Sequence, residues 1–348
     1  GFSSAAPHIP PVFFTETTSA NCTGPATPVT LTVNAVPAGP GVTFTPSTYC
    51  VGEAIVPPTI TAPVGGSTYT WYSDVSLSVV LTTGTNPTNA QLGFSSVVPN
   101  TTTVFVTETN IGTCEGPATA VTLTVNPVPV APAITFSPNT YCVGEVIIPP
   151  FVTTPVGGST YTWYSDAGLT TILTTGTNPT NLQIGFSTAV VNVTTVFVTE
   201  TNGLNCEGPA TAITLTVNST PAAPAVTFAP STYCVGDAIT APVITAPVGT
   251  STYRWYSDAG LTTLLTSGTN PTNGALGFSS AAPNVTTVFV AETTSSNCTG
   301  PATAVTLTVN ANPAAPGVTF SPSSYCVGQV IIAPFITTPT GGSTYQWY

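Results

Sequence analysis

Eight cysteines recur in two series, each spaced by 92 residues: Cys50, Cys142, Cys234 and Cys326, and Cys22, Cys114, Cys206 and Cys298. An even cysteine count in a chain with one histidine, His8, is disulfide chemistry rather than metal chemistry, and it points to an oxidising compartment. Carboxylates repeat too: Glu53, Glu145 and Asp237; Asp74, Asp166 and Asp258; Glu16, Glu108, Glu200 and Glu292; Glu115 and Glu207. Calcium takes about six to eight oxygens, and these loops lack clustered acids to supply them. Gln329 stands where Glu145 does, and Thr23 and Thr299 stand where Glu207 does, so the acids read as solvated carboxylates. Glycosidase chemistry needs two acids at a set separation in a cleft, and scattered single acids give no sign of one. His8 aligns with Asn100, Asn192 and Asn284, and Arg254 with Thr70, Thr162 and Gln346, so neither is a repeated catalytic group. The reading is of a non-enzyme without cofactor or metal residues.

Aromatic pairs recur at the same spacing. In "TYTWY", alternation along a strand sends Tyr161 and Trp163 to one face and Thr162 and Tyr164 to the other. Trp71, Trp163, Trp255 and Trp347 therefore read as core, and Tyr72, Tyr164, Tyr256 and Tyr348 as outward rings. Two uses of outward tyrosines stay open: platforms that stack on sugars, or cross-strand partners on a sheet face. Sequons at Asn21, Asn100, Asn192, Asn218, Asn284 and Asn297 indicate surface position at most.

The elements that must hold these residues are strands. Only 4 % of the 348 residues are charged, with net charge −11, which excludes nucleic acid as a partner because phosphate binding needs clustered Lys and Arg. Thirty-six prolines exclude long helices, while 42 % hydrophobic residues, rich in Val, Ile, Thr, Tyr and Phe, are strand-forming material. No run approaches the roughly eighteen apolar residues of a membrane helix. No basic-then-apolar leader opens the chain, so residue 1 reads as an internal position of a longer protein.

The 92-residue period holds without insertion or deletion, and each unit closes on "TLTVN" before a linker: "AVPAGP", "PVPVAP", "STPAAP" or "ANPAAP". Pro-rich connectors favour extended, semi-rigid geometry. The expected organisation is a partial unit at 1–34 with the end of strand E and strands F and G; full repeats at 35–126, 127–218 and 219–310; and a partial unit at 311–348 with strands A, B and C. Within 127–218 the expected strands are Ala133–Ser137 (A), Val146–Thr153 (B), Thr160–Ser165 (C), Thr171–Thr174 (C′), Asn181–Ser187 (E), Thr194–Thr201 (F) and Ala210–Val217 (G). Pro149 and Pro150 should bulge strand B or confine it to an edge. About seven short strands per unit, turns at regular spacing and a Trp on the third predict an all-β fold, tandem immunoglobulin-like sandwiches joined by short Pro-rich linkers.

"YCVGE", "STYTWYSD", "TVFVTET" and "TLTVN" together resemble the Ig-like tandem repeats of large cell-surface and secreted proteins of the Bacteroidota, of adhesin or fibre type. The resemblance covers the whole chain and marks a scaffold. It implies export to the cell surface, often by the type IX system.

The cysteines allow more than one pairing. The simplest joins cysteines 64 apart, such as Cys142 with Cys206. The strand map, however, puts these at opposite ends of a sandwich, roughly 20 Å apart, where a disulfide needs Cα atoms within about 7 Å. In a head-to-tail array the alternative is a staple between neighbours, Cys50 with Cys206 and Cys142 with Cys298, and the strand map favours it. The two partial units should each need completion, by continuing polypeptide or by a second copy in a polymer. The function expected is a segment of an extracellular fibre or adhesin stalk, self-associating into a filament. Its partners are then further repeats or other copies of itself, and polysaccharide or cell surfaces. A positive mean hydropathy and the absence of Lys, which blunts sheet edges, support self-association. The alternative is tandem carbohydrate-binding modules of a secreted polysaccharide-degrading enzyme.

Overall fold

A computed structural model describes residues 4–7 and 11–348. His8 lies outside the described residues. The chain packs as two compact units. One holds 1–137, 148–186 and 194–214; the other holds 138–147, 187–193 and 215–348.

Residues 11–126 carry, in order, β1 (Pro11–Phe14), β2 (Thr27–Thr30), β3 (Val42–Thr43), β4 (Thr48–Cys50), β5 (Thr59–Ile60), β6 (Thr68–Tyr72), β7 (Val80–Thr83), the helical turn α1 (Asn89–Leu92), β8 (Asn100–Thr109) and β9 (Thr119–Asn126). β1 and β2 form an antiparallel hairpin at the F and G positions. From β3 onward the elements make one sandwich. Its larger sheet has the order β4-β9-β8-β6-β7, and β3 pairs with β5 in a two-stranded sheet opposite. The same five-plus-two arrangement recurs in the next two repeats, and the chain is tandem Ig-like β-sandwiches.

Alternation builds the core. On β8 and β9, Val104, Val106, Val121, Leu123 and Val125 face inward and are buried, as period-2 strands dictate. Trp71 on β6 is fully buried and donates its Nε1–H to the Gly84 carbonyl at 2.9 Å. Trp163 and Trp255 repeat this with Gly176 and Gly268. All three glycines have φ between +122° and +128°, which a side chain would resist. Outer Thr pairs such as Thr103 and Thr122, 2.9 Å apart, link neighbouring strands.

Three strand expectations are corrected. Strand E is absent. At its place Thr88 caps α1, with its hydroxyl accepting from Gln91 N and the Gln91 side chain accepting from Thr88 N, a capping box. Gly93 follows at φ 71°, the left-handed residue that ends such a turn. Residues 181–187 likewise form turns rather than the expected strand, with Thr180 and Gln183 making the same exchange. Leu92 and Phe94 still reach the core, so a helical turn does strand E's packing.

The second correction is an additional strand. Residues 48–50, 140–142 and 232–234 form a short strand, here A′, parallel to G. Third, A and B shrink to two residues each, Ile134–Thr135 and Phe151–Val152 in the second repeat. Pro149 and Pro150 remove ladder donors just before the latter. In residues 311–348 only Val318–Thr319 and Phe335–Ile336 pair; the C-position residues 344–348 form no strand.

Candidate functional site: cysteine staples and hydrogen-bonded carboxylates

The parallel A′–G pairing sets Cys50 opposite Asn126, the last residue of G, with the linker starting at Pro127. The next repeat's F–G loop docks there. Asn202 in that loop donates from Nδ2 to the Pro127 carbonyl at 2.8 Å, while its Oδ1 accepts from Cys206 N at 3.0 Å. One side chain thus shapes the loop and grips the preceding linker. Cys206 is brought onto Cys50, and the two are disulfide-bonded with Cα atoms 5.5 Å apart. Cys142 and Cys298 are bonded in the same way, also at 5.5 Å. Both bridges span 156 residues, one period more than the 64-residue alternative. Cys22, Cys114, Cys234 and Cys326 are free thiols.

Each linker is clamped by its own repeat. A side chain at Gly116, Gly208 or Gly300 would overlap the carbonyl oxygen of Pro37, Pro129 or Pro221, so only glycine allows this approach. Three residues on, Thr119 and Thr211 donate their hydroxyls to the Pro40 and Pro132 carbonyls at 2.8 and 2.6 Å, and Thr303 bonds the Pro224 carbonyl.

The repeated carboxylates have local partners. Glu53, Glu145 and Asp237 each accept from the backbone N–H of the cysteine three residues earlier at 2.7 Å. Gln329 does the same for Cys326 through its neutral Oε1 at 2.8 Å, so this position needs an acceptor and not a charge. Asp74, Asp166 and Asp258 tie the C–C′ turn through backbone N–H groups four and five residues ahead. Those bonds hold the Asp166 and Asp258 carboxyls below the usual range, and hydrogen bonding led by the Ser76 hydroxyl does so for Asp74. Glu108 and Glu200 are buried and accept from Ser67 and Ser159 at 2.7 Å. Among the described residues no group of three His, Cys, Asp or Glu side chains is placed to hold a metal ion. Arg254 is exposed on its strand.

Of the two uses open to the strand-C tyrosines, the exposed platform is corrected for Tyr72 and Tyr164, which lie opposite Phe105 and Phe197 across the sheet. Tyr72 and Tyr164 are 9 % and 7 % exposed, not platforms. The F–G loop covers the outer face of strand C there. Tyr72 donates to Glu115 Oε1 at 3.0 Å, and Thr107 donates to the same oxygen at 2.6 Å. Tyr164, Thr199 and Glu207 repeat the triad at 2.9 and 2.6 Å. Burial, then the hydrogen bond to the carboxylate, pushes both phenols above their usual pKa. In the third repeat Ala291 and Thr299 replace the Thr and Glu, Thr299 pairs with Thr293 at 2.9 Å, and Tyr256 is half-buried. The joint change of two positions was the signal in the sequence for this triad. Trp71, Trp163 and Trp255 are fully buried, whereas Trp347, expected in a core, is 61 % exposed and Tyr348 fully so.

The family model for the Ig-like domain CHU_C associated matches residues 37–127, 129–218 and 221–311. The chain belongs to this family. The resemblance to Bacteroidota Ig-like tandem repeats carried by "YCVGE", "STYTWYSD" and "TLTVN" holds, since all three complete CHU_C-associated repeats are matched. Among solved structures, a tetra-tandem repeat in the extending region of a large adhesion protein is 12 % identical, with TM-score 0.28, covering 84 % of this chain and 80 % of that one. Fibronectin(III)-like modules of Clostridium thermocellum CbhA are 14 % identical with TM-score 0.29, covering 51 % and 95 %. Murine CEACAM1b is 11 % identical with TM-score 0.27, covering 51 % and 100 %. No curated protein matches the chain. No helix among the described residues is long and apolar enough to cross a membrane.

Proposed function

We propose that this chain is a load-bearing segment of an extracellular fibre or adhesin stalk, without catalysis of its own, that self-associates into a filament. The observation that carries this reading is the pair of bridges between successive repeats. Intra-repeat bridges would steady each sandwich alone. Bridges from A′ of one repeat to the F–G loop of the next join repeats covalently beside the peptide linker, which suits a part that transmits tension. Structural disulfides also suit an extracellular site. The clamped linkers add support, since the Gly and Thr contacts hold each connector against its own sandwich.

Stretching single molecules with and without reductant tests the load-bearing part. Because the loops overlap, the shortest covalent path from Cys50 to Cys298 runs through 64 residues in the oxidised chain and 248 in the reduced one. Reduction should therefore release roughly 600 Å of extra contour length at about 3.5 Å per residue. Equal lengths in both states would overturn the staple as a load path. Filaments by negative-stain microscopy are the expected result for self-association, and dispersed particles at all concentrations the contrary one.

A further inference from the structure

Strand G of the second repeat, Thr211–Asn218, lies between A′ and F in the larger sheet. Its inward side chains Ile213, Leu215 and Val217 are buried. The bridge from the first repeat arrives just ahead of it, because Cys206 stands five residues before Thr211. Those residues are held on both sides. Glu207 forms an isolated bridge with Thr201, Gly208 donates its backbone N–H to the Glu200 carbonyl at 2.8 Å, and Thr211 donates to the Pro132 carbonyl. The strand itself is already extended at about 3.3 Å per residue, so tension along it finds little slack.

At its far end strand G has two exits. The peptide linker continues from Asn218, and A′ of the second repeat pairs in parallel with the last three residues, Cys142 opposite Asn218. Thr216 donates its N–H to the Asn139 carbonyl at 2.9 Å, and Val143 donates to the Asn218 carbonyl at 3.0 Å. Cys142 is bonded to Cys298, which stands five residues before Thr303, the start of strand G in the third repeat. The junction before it is built alike, with Cys50 opposite Asn126 at the end of the first G strand. Each bridge thus couples the end of one G strand, through A′, to the start of the next.

We propose that strand G is the tension member of these repeats and that strands B, C, C′ and F are bypassed by the load. This rests on the tension-transmitting reading above and names the strand that carries it. Ladder bonds run across strands, so a pull along G loads its bonds to F and A′ together rather than one after another. The covalent route from A′ of the first repeat to the end of the second is the twelve residues from Cys206 to Asn218, against 168 along the backbone from Cys50. Residues 51–205, with Trp71 and Trp163, lie off that route. An inversion follows: two successive repeats stretch less than one. From Val36 to Thr220, across two repeats, the route is fourteen residues to Cys50 and fourteen more from Cys206. From Val36 to Val130, across the first repeat alone, the shortest route is ninety residues, fourteen to Cys50 and seventy-six back from Cys206.

The test stretches the whole 348-residue chain between DNA handles clicked to azide-bearing residues, which leaves every thiol untouched. One molecule carries them in place of Val36 and Thr220, the other in place of Val36 and Val130, all exposed positions. Oxidised, the two-repeat span should stop at about 100 Å and the one-repeat span open to about 300 Å; reduced, the order should reverse, at about 640 and 330 Å. Trp163→Ala should leave the oxidised two-repeat curve unchanged and lower the unfolding force of the reduced one. Val198→Ala, a milder cut in the same core, replaces it if peptide mapping finds the Cys50–Cys206 bridge missing. An oxidised two-repeat span that lengthens in steps beyond about 100 Å, or that weakens with either core variant, would refute the G-strand route. The tension-transmitting reading would survive that result as long as reduction still adds length. Equal lengths before and after reduction would sink both.

Discussion

The second and third repeats share their strands, their register and their buried Trp, yet differ on the outer face of strand C. In the second, Tyr164, Thr199 and Glu207 form a closed hydrogen-bonded triad beneath the F–G loop. In the third, Ala291 and Thr299 take two of the three places and Tyr256 opens partly to solvent. The difference teaches that the triad changes as a set. A hydroxyl left on the buried Thr199 without the carboxylate would be an unsatisfied polar group, costing about 1–3 kcal/mol, whereas an Ala removes the demand altogether. The inner face shows no such freedom, because Trp163 and Trp255 are both fully buried and both bonded to a positive-φ glycine carbonyl.

The largest effects should therefore be common to both repeats. Trp163→Ala and Trp255→Ala are each expected to cost about 3–5 kcal/mol, read as a lowered denaturant midpoint for that repeat, while Trp347→Ala should change little. A mild effect at either buried position would break the claim of a shared core. Next in size are the staples. Cys206→Ser or Cys298→Ser should each cost about 2–5 kcal/mol, measurable as lowered melting under non-reducing conditions, and similar values for the two would show the bridges to be equivalent.

The triad separates the repeats. Glu207→Ala is expected to cost about 1–3 kcal/mol in the second repeat, and the double variant Thr199→Ala/Glu207→Thr, which copies the third, should recover part of that loss in denaturant titrations. A double variant worse than the single one would show that the two faces are not interchangeable. The phenols give a pH signature. Tyr72 and Tyr164 are raised above their unfolded value, so the folded state favours their neutral form. That contribution is complete below about pH 10 and lost as pH rises through the raised folded value. Tyr164→Phe should flatten the alkaline fall of melting temperature in the second repeat; an unchanged slope would remove the phenol from the account.

The smallest effect is expected in the F–G loop. Thr113 sits at φ 59°, where the other units place Asn21, Asn205 and Asn297 at 59° to 62°. A β-branched residue is disfavoured there and Asn tolerated. Thr113→Asn should raise the stability of the first repeat by about 0.5–1 kcal/mol, and a loss would mean that the threonine side chain has an unseen contact.

Much of this arrangement was readable from residue spacing. The alternation around Trp163, the turn residues and the 92-residue period carry the sandwich. The separation of Cys142 from Cys206 by a strand length carried the pairing across repeats, and the structure has those two bridges. What escaped depended on local competition. "TNAQL" shows Thr and Gln three apart, a capping-box spacing, but its apolar residues fit a strand as readily as a four-residue helix. The A′ strand is three residues long and parallel, too short for periodicity to register. The burial of Tyr72 and Tyr164 could not follow from alternation, which assigns a face and not what folds over it. Only the paired replacement at Ala291 and Thr299 hinted that a loop closes on that face.

The staple has a consequence for how such genes change length. Near-identical 92-residue units invite unequal recombination, which adds or removes whole units. A bridge inside one unit would survive this trivially, and a bridge between two specialised units would be destroyed by it. Here both bridged A′ cysteines, Cys50 and Cys142, take the F–G cysteine of the unit that follows, because the linker clamp and the A′–G pairing rebuild the same geometry at those two junctions. Deleting the unit 127–218, for instance, would set Cys50 against Cys298 in the place where Cys206 now stands. Array length can thus drift from generation to generation without stranding a thiol in the interior.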